Sequence, residues 1–179
     1  QLHGGKDFNI DIDEVRNQIT SRTKLMIINS PNNPCGSIIG EKELEALSIL
    51  AKENDILVLS DEIYIRFLYE GNHQSITKFP EMVDRTVILD GFSKTYAMTG
   101  WRIGYGLLPD NLVEPISRLV TNSVSCTASF TQKAALEALT GPQDDSAKMV
   151  KEFKKRRDIV VIGLNNISGI KCAIPKGAF

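Results

Sequence analysis

An α/β domain on a mostly parallel sheet is the fold class this sequence predicts, and three observations carry it. Short, almost wholly apolar runs recur along the chain, as in strands buried on both faces. Segments with apolar residues at helical spacing alternate with them. Polar residues gather directly after the runs, where ligands of such sheets sit. The chain has 179 residues, enough for one domain, or one and part of another, with a core that needs no disulfides.

The elements follow in order. Asp11 to Thr20 opens with an N-capping Asp and carries Ile12, Val15 and Ile19 at helical spacing, so it reads as a short amphipathic helix. Lys24 to Asn29 reads as a strand buried on both faces. Ser30-Pro-Asn-Asn-Pro-Cys-Gly36 holds two prolines and a glycine and can only be a rigid loop. Glu41 to Asn54 places Leu44, Leu47 and Ala51 on one face of a helix. Ile56 to Ser60 and Thr86 to Asp90 are further buried strands, and Arg102 to Leu108 is a fourth, its glycines marking a close approach. Helices are expected over about Asn111–Ser123, Ser129–Leu139 and Asp144–Asn165. Gly169 to Ile174 reads as the opening strand of a further unit. Strand ends thus deliver Ser30 to Gly36, Asp61 to Tyr64 and Gly91 to Thr95 to one rim.

Composition removes several function classes. Lys plus Arg number 21 against 22 Asp plus Glu, a net of -1, which argues against a field that would gather nucleic acid or an anionic membrane. Hydrophobic residues make up 42%, in the globular range rather than the disordered one. No apolar run approaches the length of a bilayer span. The three cysteines, Cys35, Cys126 and Cys172, are odd in number and widely spaced, which predicts free thiols and a reducing, cytoplasmic compartment. The chain starts at Gln1 and stops at Phe179, just after an apolar run and a Pro-Lys-Gly turn, so a piece of a longer protein is expected.

Several common motifs fail on inspection. His3 and His73 have no metal-ligand spacing, so no metal site is expected. Gly91-Phe-Ser-Lys-Thr95 lacks the second glycine of a nucleophile elbow. Ser75-Ile-Thr-Lys78 matches Ser-x-x-Lys, but the partner motifs of penicillin-binding enzymes are missing. Gly100, Gly104 and Gly106 make neither a dinucleotide fingerprint nor a P-loop. Lys151 to Arg157 is a dense basic run, read as a solvated helix face.

Three segments hold together: Asn29-Ser-Pro-Asn-Asn-Pro-Cys-Gly36, Ser60-Asp-Glu-Ile-Tyr64, and Phe92-Ser-Lys-Thr-Tyr-Ala-Met-Thr-Gly-Trp-Arg-Ile-Gly-Tyr105. In these segments, and in their order, the sequence resembles the fold-type I, pyridoxal-phosphate-dependent aminotransferases of classes I and II. The resemblance spans the chain but covers only the central to late part of a family member. It implies a PLP-dependent transferase fold and pyridoxal 5'-phosphate as cofactor. Lys94 is then the residue that forms the Schiff base and serves as general base and acid. Asp61 is expected to pair with the pyridine nitrogen. Tyr64 and Asn33 are expected on the ring's phenolic oxygen. Arg102 is expected on the phosphate, where a fixed fork of donors suits an anion. Ser93 adds a hydroxyl beside the lysine.

The resemblance has departures. Many members carry a serine three residues before the lysine, donating to the phosphate, where this chain has Gly91. The family's earlier phosphate loop, the aromatic stacked on the ring, the tyrosine of a partner subunit and the arginine that grips the substrate carboxylate are expected to lie outside these residues.

The resemblance implies residues 1–143 as part of a large cofactor-binding domain and 144–179 as the truncated start of a small C-terminal domain. It implies amino-acid metabolism: transfer of an amino group between an amino acid and a 2-oxo acid, in a homodimer or larger oligomer. No nucleic-acid or membrane partner is expected. A carbon-sulfur lyase of the same fold and a catalytically inactive fragment are the alternatives, and the 179 residues alone are expected to be inactive.

Overall fold

A computed structural model describes residues 2–3 and 8–179, and Gln1 lies outside them. Strands β1 (Leu2–His3) and β2 (Asn9–Ile10) form an antiparallel pair ahead of helix α1 (Ile12–Gln18). The side chain of His3, half of the rejected metal reading, lies outside the described residues. Asp11 caps α1 as its sequence position implies, its carboxylate accepting from the amides of Asp13 and Glu14 at 3.1 and 3.2 Å.

The main sheet runs β3 (Leu25–Asn29), β4 (Leu57–Asp61), β5 (Thr86–Gly91) and β6 (Gly104–Leu107), in that spatial order. The first three strands are parallel, with Asn29 opposite Asp61 and Asp61 opposite Leu89, so β3 and β4 end level and β5 runs two residues further to Gly91. β6 turns back antiparallel to β5 and pairs Gly91 with Gly104. A Cβ on Gly91 would lie 2.8 Å from Gly104 Cα and 3.2 Å from Ile103 O, so the missing serine has a steric reason: the two backbones meet there.

Helix α2 (Glu41–Glu53) covers one face of the sheet. Leu44, Leu47 and Ala51 from the helix close on Ile28 of β3 and Val58 of β4, with Ile56, Ile76 and Met82 completing the core. The expected double burial of β3 does not hold. Ile27, on the alternate face, is 68% exposed, and Leu25 and Leu89 are also exposed. The strand is apolar on both faces, but among the described residues only one face is covered.

Helices α3 (Asp110–Val124), α4 (Ser129–Thr140) and α5 (Asp144–Asn165) follow the expected segments to within a residue or two. α3 buries none of its residues, whereas α4 sets Ala135 against Phe92 and Met98. The basic run on α5 is not simply solvated. The Arg157 side chain is 8% exposed, lies over the Tyr69 ring and donates to Glu70 and to the Pro175 carbonyl, while Lys154 donates to the Tyr69 carbonyl.

Residues 169–174 form no strand, contrary to the sequence expectation. Asn165, at the end of α5, bonds both the amide and the carbonyl of Cys172 and turns the chain back. Lys176 N then donates to Gly36 O at 2.8 Å, Tyr69 N to Lys176 O at 2.9 Å, and Ala178 N to Phe67 O at 2.9 Å. Within 169–174, Ile170 N bonds back to Ile167 O and Cys172 bonds to Asn165, so the ladder bonds fall instead to Lys176 and Ala178, which pair with two loops. Gly177 is required at this seam, because a Cβ there would lie 2.8 Å from Phe67 O.

Candidate functional site

The site assembles where the parallel strands end. Asn29 closes β3, and its side chain links the next two segments: Nδ2 donates to Asp61 O at 3.1 Å, and Oδ1 accepts from Asn33 N at 3.0 Å. The loop that follows is fixed internally, with cis peptides before Pro31 and Pro34, Gly36 N on Asn32 O at 2.8 Å, and Cys35 N on Asn32 Oδ1 at 3.2 Å. Gly36 takes the left-handed conformation at φ +67°, which favours glycine. A loop built this way holds Asn33 at the rim, within reach of Tyr64.

Asn33 Nδ2 donates to Tyr64 Oη at 2.7 Å. Tyr64 is buried, its ring edge-on to Phe67 and Phe179. Asp61, half-buried at the end of β4, accepts from Ile63 N at 3.3 Å and so caps the turn that brings Tyr64 back. Lys94 lies in the tight turn after β5, its Nζ 5.9 Å from the Tyr64 ring centre and 5.4 Å from that of Phe179. Among the described residues no carboxylate pairs with it. The Lys94 Nζ thus lies over two aromatic faces.

The structure therefore links Asn33, Asp61, Tyr64 and Lys94 through Asn29 and the Tyr64 ring. Ser93 is half-buried in the same turn as Lys94. Arg102 stands apart from this chain of contacts. It precedes β6 in the left-handed conformation, at φ +54°, and Nη1 donates to Thr99 O at 2.9 Å. Its exposed guanidinium borders an open cleft of about 820 Å³, with Trp101 and Phe130 on the wall.

Sequence reasoning missed two contributors. Phe179 stacks on Phe153 of α5 and walls Lys94, and its signal was hidden because the segment before it read as a strand. Tyr105 donates to Asp90 at 2.7 Å, and Asp90 also accepts from Gly91 N at 2.7 Å, which latches β6 to the end of β5. Burial, then the hydrogen bond and charge of Asp90, push the Tyr105 phenol up to about 12.

The family model for class I and II aminotransferases matches residues 1–179. An aspartate aminotransferase of Sulfolobus acidocaldarius is 40% identical over 172 residues, 96% of this chain and 43% of its own length. Aromatic-amino-acid aminotransferase 2 of Thermococcus litoralis is 39% identical, over 97% of this chain and 45% of that protein. A solved double mutant of Thermus thermophilus aspartate aminotransferase superimposes with a TM-score of 0.93 at 38% identity, covering 99% of this chain and 47% of the other. The chain spans less than half the length of each of these relatives.

Proposed function

This chain belongs to the class I and II aminotransferases, and we propose that it carries the lysine-bearing half of a pyridoxal-phosphate site. That site moves an amino group between an amino acid and a 2-oxo acid. The observation that carries the reading is the placement of the Lys94 amine against the Tyr64 ring, with the Tyr64 phenol bonded to Asn33.

The donor set suits the cofactor. There is an amine with no carboxylate partner among the described residues, a carboxylate at a strand end, a phenol–amide pair beside the amine, and a guanidinium that gives Thr99 a single hydrogen bond. Pyridoxal phosphate, when bound, supplies an electron-withdrawing ring that stabilises negative charge on the substrate's α-carbon. Lys94 would hold the cofactor at its carbonyl carbon and carry a proton on Nζ, beside aromatic rings and with no carboxylate partner among the described residues. Asp61 would hold a proton on the ring nitrogen. Tyr64 accepts from Asn33, which leaves its own hydroxyl hydrogen free to donate, and it would donate to the ring oxygen. Arg102 and Ser93 would serve the phosphate.

We assign residues 1–143 to the large domain and 144–179 to the start of the small one, with a cytoplasmic homodimer or larger oligomer as the working assembly. Borohydride reduction in the presence of pyridoxal phosphate, read by peptide mass, tests the site. Lys94 is expected to be labelled well ahead of the surface lysines. Labelling spread evenly over the lysines overturns the reading. In the whole protein, an amino-acid substrate that leaves a lasting pyridoxamine form separates transfer from carbon-sulfur elimination.

A further inference from the structure

Beneath the rim, four side chains meet that the proposed chemistry does not use. Glu62 Oε1 accepts from Ser60 Oγ at 3.0 Å and from Ser75 Oγ at 2.8 Å, and Oε2 lies 2.8 Å from His73 Nε2. Glu62 is 5% exposed, and Ser60 is buried beside it. His73 Nδ1 is buried and has no hydrogen-bond partner among the described residues, so the hydrogen bond the ring makes there is to Glu62. Ser75 Oγ also meets Thr77 Oγ1 at 2.9 Å, and Ser75 caps the short helical turn Ile76–Lys78.

A buried carboxylate is costly unless donors satisfy it. Burial by itself raises the Glu62 carboxyl. The hydrogen bonds of His73 and Ser75, the electrostatic influence of His73 and the Ser60 hydroxyl outweigh that and hold it below its ordinary value. The group therefore stays an anion and grips donors from two separate segments, β4 and residues 73–75.

The position of this grip matters. Glu62 directly follows Asp61 and starts the turn to Tyr64. Its amide donates to Leu89 O at 2.8 Å, and its carbonyl accepts from Ile65 N at 3.0 Å. Backbone and side chain together fix the point where the chain leaves β4. We propose that Glu62, anchored by His73 and Ser75, is a positioning residue that sets where the Asp61 carboxylate and the Tyr64 phenol stand at the rim. The proposal rests on the reading of Asp61 and Tyr64 as cofactor residues, but its first test does not.

Amide hydrogen exchange on the ligand-free chain is that test, with Glu62→Gln, which keeps the size and removes the charge, and Ser75→Ala, which removes a single donor. The amides of Ile63, Ile65 and Phe67 are expected to exchange about tenfold faster in Glu62→Gln and less so in Ser75→Ala. Those of α2 are expected to be unchanged. Uniform acceleration across the molecule, or none at the turn, overturns the proposal. Should Glu62→Gln fail to fold, Ser75→Ala alone decides in the same way.

The second arm measures pyridoxal-phosphate affinity in the whole protein, comparing wild type, Asp61→Asn, Glu62→Gln and the double variant. A residue acting through Asp61 weakens binding about tenfold alone and adds little on top of Asp61→Asn. Fully additive losses overturn positioning, while wild-type binding that Asp61→Asn weakens keeps the cofactor reading. Absence of binding in wild type defeats the cofactor reading, and the exchange data still decide whether Glu62 fixes the turn.

Discussion

The two faces of the sheet are built from the same kind of residue and have opposite fates. On one face Ile28 and Val58 are sealed under Leu44, Leu47 and Ala51 of α2. On the other, Leu25, Ile27 and Leu89 stand open among the described residues. The open face is also the one whose upper end carries the proposed cofactor residues. By strand alternation Asn29 lies on it with Ile27, and Asp61 with Leu59, whereas Ser60 points to the covered side. The difference teaches that apolar alternation suffices for stability, whereas a site needs polar residues delivered at matched strand ends.

The largest effect that would break the comparison is in the core. Leu47 is fully buried, so Leu47→Ala is expected to cost about 2–5 kcal/mol, whereas Ile27→Ala on the open face stays within about 0.5 kcal/mol. Urea unfolding measures both, and equal costs would show that the open face is covered in solution. Next comes Asp61→Ala in the whole enzyme. Removing the carboxylate proposed to face the ring nitrogen is expected to lower the rate on the order of a hundredfold. Near-normal turnover would mean that the polar end of the open face carries no chemistry.

A smaller effect sharpens the β5–β6 seam. Gly91→Ala meets backbone at 2.8 Å and is expected to cost about 1–3 kcal/mol, while Gly106→Ala meets only atoms at 3.5 Å or beyond and costs less. Thermal melts of the two variants rank them, and the reverse order would disprove the seam.

The smallest effect is a pH dependence. Glu62 has a folded pKa below its ordinary 4.5, so it binds its proton less readily folded than unfolded. Its contribution to stability is full above that ordinary value and is lost as the pH falls through the folded value. Glu62→Gln is expected to flatten the stability curve over this acidic window and to leave its shape near neutrality unchanged. A wild-type slope retained in the variant would assign the window to other carboxylates.

Much of this was legible in the residues. The strand cores, the helices and the order of the motif segments follow from periodicity and from turn chemistry that few other conformations allow. That Lys94, Asp61, Tyr64 and Asn33 share one rim was expected because each sits at a strand end or in the loop after one, while the roles given to them came from the family resemblance. Residues 169–174 misled, because a short apolar run fits a strand equally well when its partner is unknown. Arg157 misled in the opposite way: a charge within a basic run looks solvated until a distant Tyr69 and Glu70 are folded over it.

What the sequence determined by itself was local: where apolar periods run, where proline and glycine stop them, and which chemistry-bearing residues follow each strand. Only the tertiary structure decided which sheet face is covered, that β6 returns antiparallel, that residues 176–178 dock on Gly36 and Phe67, and that Glu62 meets His73 and Ser75. The physical reason is range. A capping bond or a helical turn closes within a few residues, so its partners are visible in the sequence. A buried carboxylate or a glycine seam is satisfied by groups that come near only once the chain has folded.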